Sequence, residues 1–421
     1  MERPRNQGGT SGYVTHPEAA ISSGSKLGWP QGEYESHEWV GNVDAFKSSS
    51  YLSGMAGQTY EAFIPPLIAR SSYLPSPATA TLAEEAAHEI SRFDERYGEH
   101  VRPFAALLLR SESAASSRIE NLTASARSLA EAELGVEERA NATLIVRNVR
   151  AMESALAAAE HLDPGSILDM HRALMDGTKD ADVAGQWREE QVWIGSSHVS
   201  PIGADFVPPH HGRVPALMED VMDYARRTDL PAMVQASIAH AQFETIHPFT
   251  DGNGRTGRAL LHSMLKRRGL ASHVTVPVSA GLLADVHNYH DALTAFRAGD
   301  PERIITVTAE ASFLAIDNGT RLAADVAAIN ESWTDKVKAR RDSAVWPVLE
   351  LLARQPVVNA AVLESQLGLD YMRQKRAMDA LESAGIVIGN DKYKKGRFWR
   401  SPEMLAALDA FAERAGRRVR S

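Results

Sequence analysis

Twelve consecutive residues, His247-Pro248-Phe249-Thr250-Asp251-Gly252-Asn253-Gly254-Arg255-Thr256-Gly257-Arg258, carry the side chains most able to do chemistry in this chain. Gly252 and Gly254 let the backbone turn sharply and approach a ligand closely. Apolar periodicity before and after the run places it as a loop between two helices, and the unpaired N–H groups opening the second helix favour an anion. Arg255 and Arg258 stand one helical turn apart, and their planar forks suit phosphate oxygens. Asp251 supplies a hard oxygen for Mg²⁺, which usually keeps waters and shares a substrate's phosphates. His247 can take a proton near neutral pH. The run therefore describes a polyphosphate cradle with a base at its edge. Gly252, Gly254 and Gly257 also fit a dinucleotide-binding spacing, but a helix precedes them where that motif needs a strand, and Pro277 sits near the place of its acidic residue. No Lys-Ser/Thr follows the glycines, so the run is not a Walker A loop. A phosphohydrolase built on His240, His247, His262 and Asp251 fits poorly, because Asp251 lies in a glycine loop rather than beside a histidine.

Helices must hold this loop. Met233, Ser237, His240 and Glu244 keep a helical step before it, and Leu260, Leu261, Met264 and Leu265 form an apolar helical face after it, closed by Gly269. Leu82, Ala86, Ile90, Phe93 and Tyr97 predict an amphipathic helix ending at Gly98. Val136–Leu162, Ser166–Met175 and Val214–Arg226 predict others. Gln191–Gly195 and Ala204–Pro208 are short β-prone runs, read as a hairpin with a long loop. The last 80 residues predict helix Ala360–Leu367, helix Asp370–Ala384, and strands at Ile386–Ile388 and Arg397–Trp399, an order that resembles a winged helix. The expected fold class is mainly α: a helical bundle with a small β-hairpin, plus the C-terminal winged-helix domain. Expected segments are an N-terminal arm over 1–59 (loosely ordered or capping), a helical extension over 60–135, a core over 136–315, a helical connector over 316–340 and the winged-helix unit over 341–421.

The bulk numbers narrow the classes. The 421 residues carry a net charge of −9, yet residues 341–421 hold 14 Lys/Arg against 10 Asp/Glu. The larger N-terminal part is thus no general nucleic-acid binder, whereas the small C-terminal part is charged for one. There is no cysteine, which excludes disulfides and thiolate metal sites. No long apolar run predicts a membrane span, and the N-terminus lacks an apolar signal core. A cytoplasmic protein with no membrane partner is expected.

The run from His247 to Arg258 resembles the signature of the Fic family, H-P-F-x-[DE]-G-N-G-R-x-x-R, at every defined position. Gly185-Gln186-Trp187-Arg188, with Gln191–Gly195 and Phe206-Val207-Pro208-Pro209, is similar to that family's flap hairpin, and Tyr60–Leu67 to its N-terminal extension. The likeness covers roughly residues 60–315. It implies a protein adenylyltransferase that moves AMP from ATP to a Ser, Thr or Tyr hydroxyl of a target protein. His247 would be the base, Asp251 would hold Mg²⁺, and Gly252, Asn253, Gly254 and Arg255 would form the anion hole. Arg258 would hold the γ-phosphate, and Tyr289 or its neighbours would line the adenine pocket. Val192, Trp193, Ile194 and Gly195 would pin the target backbone by strand addition. A homodimer is a common state among relatives. The motif leaves the donor base open, so transfer of another nucleotide group stays an alternative, as does removal of AMP.

Ser116-Ser117-Arg118-Ile119-Glu120-Asn121 resembles the family's inhibitory pattern [ST]-x-x-x-E-[GN], on a predicted helix. Glu120 paired with Arg258 would occupy the γ-phosphate's place and misalign the α-phosphate. In the C-terminal unit, Arg373, Lys375 and Arg376 lie on the second helix, and Lys392, Lys394, Lys395 and Arg397 in the wing. DNA contact and a solvated or protein-binding face both stay open for them. A nucleotide-sensing regulator acting on DNA through this unit is the alternative to an enzyme.

Overall fold

The computed structural model describes residues 29–39, 57–98, 102–135, 139–195, 200–392 and 396–416. Much of the arm expected over 1–59 lies outside them, as do Lys394, Lys395 and the side chain of Lys392. Two strands open the described chain, β1 (Glu33–Glu38) and β2 (Thr59–Ile64), paired antiparallel. Helices follow: α1 (Pro77–Gly98), α2 (Arg102–Ile119), α3 (Ala126–Glu133), α4 (Ala140–Ala157), α5 (Pro164–Met175), α6 (Val214–Arg226), α7 (Ala232–Ile246), α8 (Asn253–Arg267), α9 (Val278–Leu282), α10 (Val286–Arg297) and α11 (Glu302–Lys336). The C-terminal unit runs α12 (Val345–Arg354), β3 (Val357–Asn359), α13 (Ala360–Leu367), α14 (Tyr371–Ser383), β4 (Ile388–Lys392), β5 (Gly396–Arg400) and α15 (Pro402–Ala415).

Helix α7 is the centre of the bundle, since every residue from Met233 to Ile246 is buried. A helix buried on all sides belongs in a core, and polar side chains such as Gln235 and His240 are hydrogen-bonded there. Around it stand α6, α8 and α11. Helix α5 shows how local sequence sets an end: Asp163 and Ser166 exchange side-chain-to-backbone bonds in a capping box, and Pro164 fills the first turn, where no N–H is needed. Helix α11 runs 35 residues, about 52 Å at 1.5 Å per residue, and crosses residue 315 unbroken. Its far end meets α15, where Glu403 accepts from Trp333 Nε1 at 2.6 Å and pairs with Lys336 at 2.8 Å.

The C-terminal sheet has the order β3-β5-β4, antiparallel throughout. Helix α13 falls as expected, and α14 is framed by Asp370, whose side chain caps it, and Ala384. Strand β4 begins at Ile388, two residues later than the apolar run suggests, because Ile386 and Val387 are spent on the core after the turn at Gly385. Strand β1 corrects the reading from sequence, which took residues 1–59 as an arm. Glu33–Glu38 has almost no apolar alternation, so its strand depends on a partner more than twenty residues away. Between Gln191 and Pro208 the expected hairpin is a single bridge, Ile194 to Phe206, with residues 196–199 outside the described chain. Among the described residues, no helix is long and apolar enough to cross a membrane.

Candidate active site

Helix α7 ends at His247, whose φ of 52° puts a non-glycine residue in the left-handed region. That turn throws the chain out of the core and into the loop, and such strain tends to persist where function requires it. Imidazole Nδ1 lies 3.3 Å from the Glu244 carbonyl. With Nδ1 protonated and donating there, Nε2 is left as the acceptor. Burial, helped by the charge of Arg188, lowers the His247 pKa to about 4, so the ring is neutral at pH 7 and ready to accept a proton.

Buried contacts fix the loop from beneath. Phe249 stacks on His171 with centroids 3.7 Å apart, and on Trp187 at 5.2 Å. Asn253 closes a two-way bond with the Phe249 backbone, accepting from its N–H at 2.9 Å and donating to its carbonyl at 2.8 Å. His171 accepts from Gly185 N–H through Nδ1 at 3.0 Å, so its Nε2–H donates to the Asp251 carbonyl at 3.1 Å. Gly252, with φ of 80°, then opens α8.

The loop forms one wall of a cavity of about 670 Å³ that His247 and residues 250–255 line together with Glu120. Arg255 is 5% exposed, and its Nε and Nη1 are buried without a hydrogen-bond partner. Orphaned guanidinium donors are costly unless an acceptor meets them. A phosphate on the loop supplies one. The Asp251 side chain is 54% exposed, with Oδ1 held by Gly252 N–H at 2.7 Å and 3.7 Å from Arg255. One open carboxylate beside a phosphate cradle fits Mg²⁺ shared with a polyphosphate, and does not fit a metal held by protein alone.

Arg258 is 1% exposed and is held through Nε and Nη2. Its Nε donates to Ser116 Oγ at 2.9 Å, and its Nη2 to the Ser116 carbonyl and Glu120 Oε1, both at 2.9 Å. Burial would raise the Glu120 carboxyl, but the Arg258 guanidinium outweighs it and holds the group below the usual carboxylate range. One turn back from Ser116, Glu112 of α2 lies 2.8 Å from His262 of α8, a further contact between these helices. Glu120 itself stands just past the helix on which sequence puts it, in a turn closed by Asn121 at φ of 61°. Asparagine and glycine are the residues that accept this conformation most readily. A Cβ on Gly254 would come within 2.0 Å of Glu120 Oε1, so this glycine is what lets the carboxylate reach the loop.

Tyr289 does not join the cavity. It is 2% exposed, with its hydroxyl 2.8 Å from His240 Nε2. Its neighbour on α10, the exposed His290, lies within the fields of Glu120 and Arg258. Glu244, one turn before His247, is raised to about 7 by burial.

Arg188 is the functional residue that sequence reading named only as part of a likeness. Its Nε donates to the His247 carbonyl at 2.8 Å, Nη1 to the Glu190 carbonyl at 3.0 Å, and Nη2 to the Pro209 carbonyl. Its N–H donates to Pro248 at 3.0 Å. One buried fork thus ties the His247 turn to both arms of the flap segment. Ile194 and Phe206 bridge those arms with bonds of 2.8 and 3.0 Å, and β2 joins behind through Phe63 N–H on Val207 at 2.9 Å. Trp193 packs on Trp39 at 5.4 Å, and Ile194 is exposed. Lysine cannot reproduce three divergent bonds. If His247 acts as a base, Arg188→Lys is expected to cut turnover by roughly a hundredfold through its misplacement, with nucleotide affinity unchanged. A loss of nucleotide binding equal to the loss of turnover would contradict this positioning role.

The Fic/DOC family model matches residues 161–265. Residues 161–265 are thus similar to that family's domain. A stretch of the chain is 33% identical over 135 residues to protein adenylyltransferase fic-1 of Caenorhabditis briggsae, covering 31% of this chain and 24% of that protein. It is 39% identical over 93 residues to the probable protein adenylyltransferase aq_aa38 of Aquifex aeolicus (strain VF5), covering 20% of this chain and 29% of that protein. The chain thus spans about a quarter of the length of these curated relatives. A crystal structure of a Fic family protein from Desulfovibrio desulfuricans G20 aligns over 78% of this chain and 97% of that one, with a TM-score of 0.48 at 22% identity.

Proposed function

We propose that this protein is an adenylyltransferase that moves AMP from ATP to a Ser, Thr or Tyr hydroxyl of another protein, and that Glu120 restrains it. The observation that carries the reading is Arg255, whose buried and partnerless donors sit on a glycine loop beside a neutral histidine. Polyphosphate oxygens would satisfy them, with the N–H groups opening α8 completing the anion hole. Asp251 would hold Mg²⁺, which when bound offsets phosphate charge. His247 Nε2 would accept the hydroxyl proton as the oxygen bonds to the α-phosphorus. The bond between that phosphorus and the bridging oxygen then breaks, and pyrophosphate leaves. Val192–Gly195 would dock the target backbone, and adenine would lie along α10 near Tyr289 and His290. Label from α-labelled ATP should remain on protein, and label from the γ-position should leave as pyrophosphate. The reverse pattern would make the protein a kinase and overturn the reading.

For the C-terminal unit we propose a winged helix. The sheet order β3-β5-β4 with α13 and α14 supports it, and Arg373, Lys375 and Arg376 are exposed on α14. If these residues contact DNA phosphates, retention on duplex DNA falls steeply with salt; absent or salt-indifferent retention assigns the face to solvent or protein. A chain without cysteine that uses ATP suits the cytoplasm.

A further inference from the structure

A second cavity, of about 290 Å³, lies behind the Glu120 segment, between α2, the chain from Leu122 to Ala130, and α15. Its walls are small and apolar: Ala115, Ala130 and Ala415 leave open space that Leu122, Leu129 and Phe411 surround. The cavity opens to solvent past the exposed Arg118 and Ala412, so a guest can enter it. At about 30 Å³ per heavy atom, water's share of its liquid, it holds about ten atoms.

The charged groups around it differ in how far they are engaged. Arg110 is taken by Glu133 at 2.6 Å and by the Arg354 carbonyl. Asp409 accepts from Ala126 N–H at the head of α3, at 2.8 Å. Arg118 is exposed and gives a single bond among the described residues, from Nη1 to the Ala412 carbonyl at 2.8 Å, and no described carboxylate pairs with it. A guanidinium has five N–H donors. We propose that this cavity binds a small amphipathic carboxylate, with an apolar body of about ten carbons inside and its carboxylate on Arg118, and that the bound ligand tightens the restraint by Glu120.

The coupling follows from the bonds that flank Glu120. Arg118, two residues before it, is held by α15 through Ala412, and Ala126, six residues after it, through Asp409. The cavity exists in the arrangement that puts Glu120 on Arg258. A ligand shifts a protein toward the arrangement it binds better, so filling this gap opposes the departure of Glu120. The coupling rests on the proposed restraint, whereas the site itself does not.

The test is calorimetric titration of decanoate into the whole protein without nucleotide. Saturable one-to-one binding is expected, weakened at least about tenfold by Arg118→Gln and lost in Ala412→Trp, which blocks the exposed mouth. Decanol should bind more weakly than decanoate and ignore Arg118→Gln. Ala412→Leu replaces the tryptophan variant if that one melts early. No saturable binding, or equal binding by the blocked variant, overturns the site. In labelling with α-labelled ATP, decanoate should reduce transfer by the wild type and leave Glu120→Gly unchanged. Where Glu120→Gly labels itself, equal inhibition of both proteins, or of neither, overturns the coupling; no label on either protein overturns the proposed transfer instead and leaves the site to the titration.

Discussion

Glu120→Gly raises self-labelling from α-labelled ATP by at least about a hundredfold, equivalent to about 2.7 kcal/mol of barrier. In the structure the Glu120 carboxylate holds Arg258 at 2.9 Å and lies against Gly254, in the space where the end of a polyphosphate on this loop would lie. On the proposed restraint, ATP would meet the rest of the loop with Glu120 in place, but its terminal phosphate would be displaced and the α-phosphorus would leave the line of attack. Lost alignment can cost about 7–11 kcal/mol when it is complete, so a hundredfold is a modest expectation. The substitution should be mild for the fold, because the Glu120 side chain is 41% exposed and Arg258 keeps both bonds to Ser116. Equal labelling by the two proteins, with equal ATP affinity, would mean that the ion pair restrains nothing.

His247→Ala in the Glu120→Gly background lowers transfer by about 10²–10⁴-fold, the usual worth of a positioned base. ATP affinity should hold, since the proposed phosphate contacts would belong to the loop backbone and the two arginines. The pH profile gives a second check. An ordinary histidine loses its base form below about 6.5, but His247 is lowered to about 4. The acid limb of transfer should therefore fall below pH 6. The same shift makes stability from the buried neutral ring fully present above about 6.5 and lost as pH falls toward 4. A limb centred at 6.5 would place the base in a solvated ring and contradict the geometry.

The residues of the His247 loop were legible in sequence because its chemistry is local: base, carboxylate, glycines and arginines lie within twelve positions. Glu120 was legible as a pattern, yet not its place in a turn beyond α2, which depends on the left-handed Asn121 and on a packed Gly254. Arg188 escaped for another reason. Its partners are the carbonyls of His247, Glu190 and Pro209, and every residue carries a carbonyl, so side-chain pattern cannot announce the contact. Strand β1 escaped because a charged strand takes its stability from β2 and from the aromatic contacts around Trp39. Tyr289 was legible only as an aromatic near the loop, because its burial and its bond to His240 depend on how α10 packs on α7.

The most direct measurement compares wild type, Glu120→Gly and Glu120→Gly/His247→Ala with α-labelled ATP, following covalent label on the protein by gel and mass spectrometry. The account predicts weak label on the first, strong label on the second and its loss in the third. No label on any of the three, with ATP bound by all, would contradict AMP transfer and leave the loop as a nucleotide sensor.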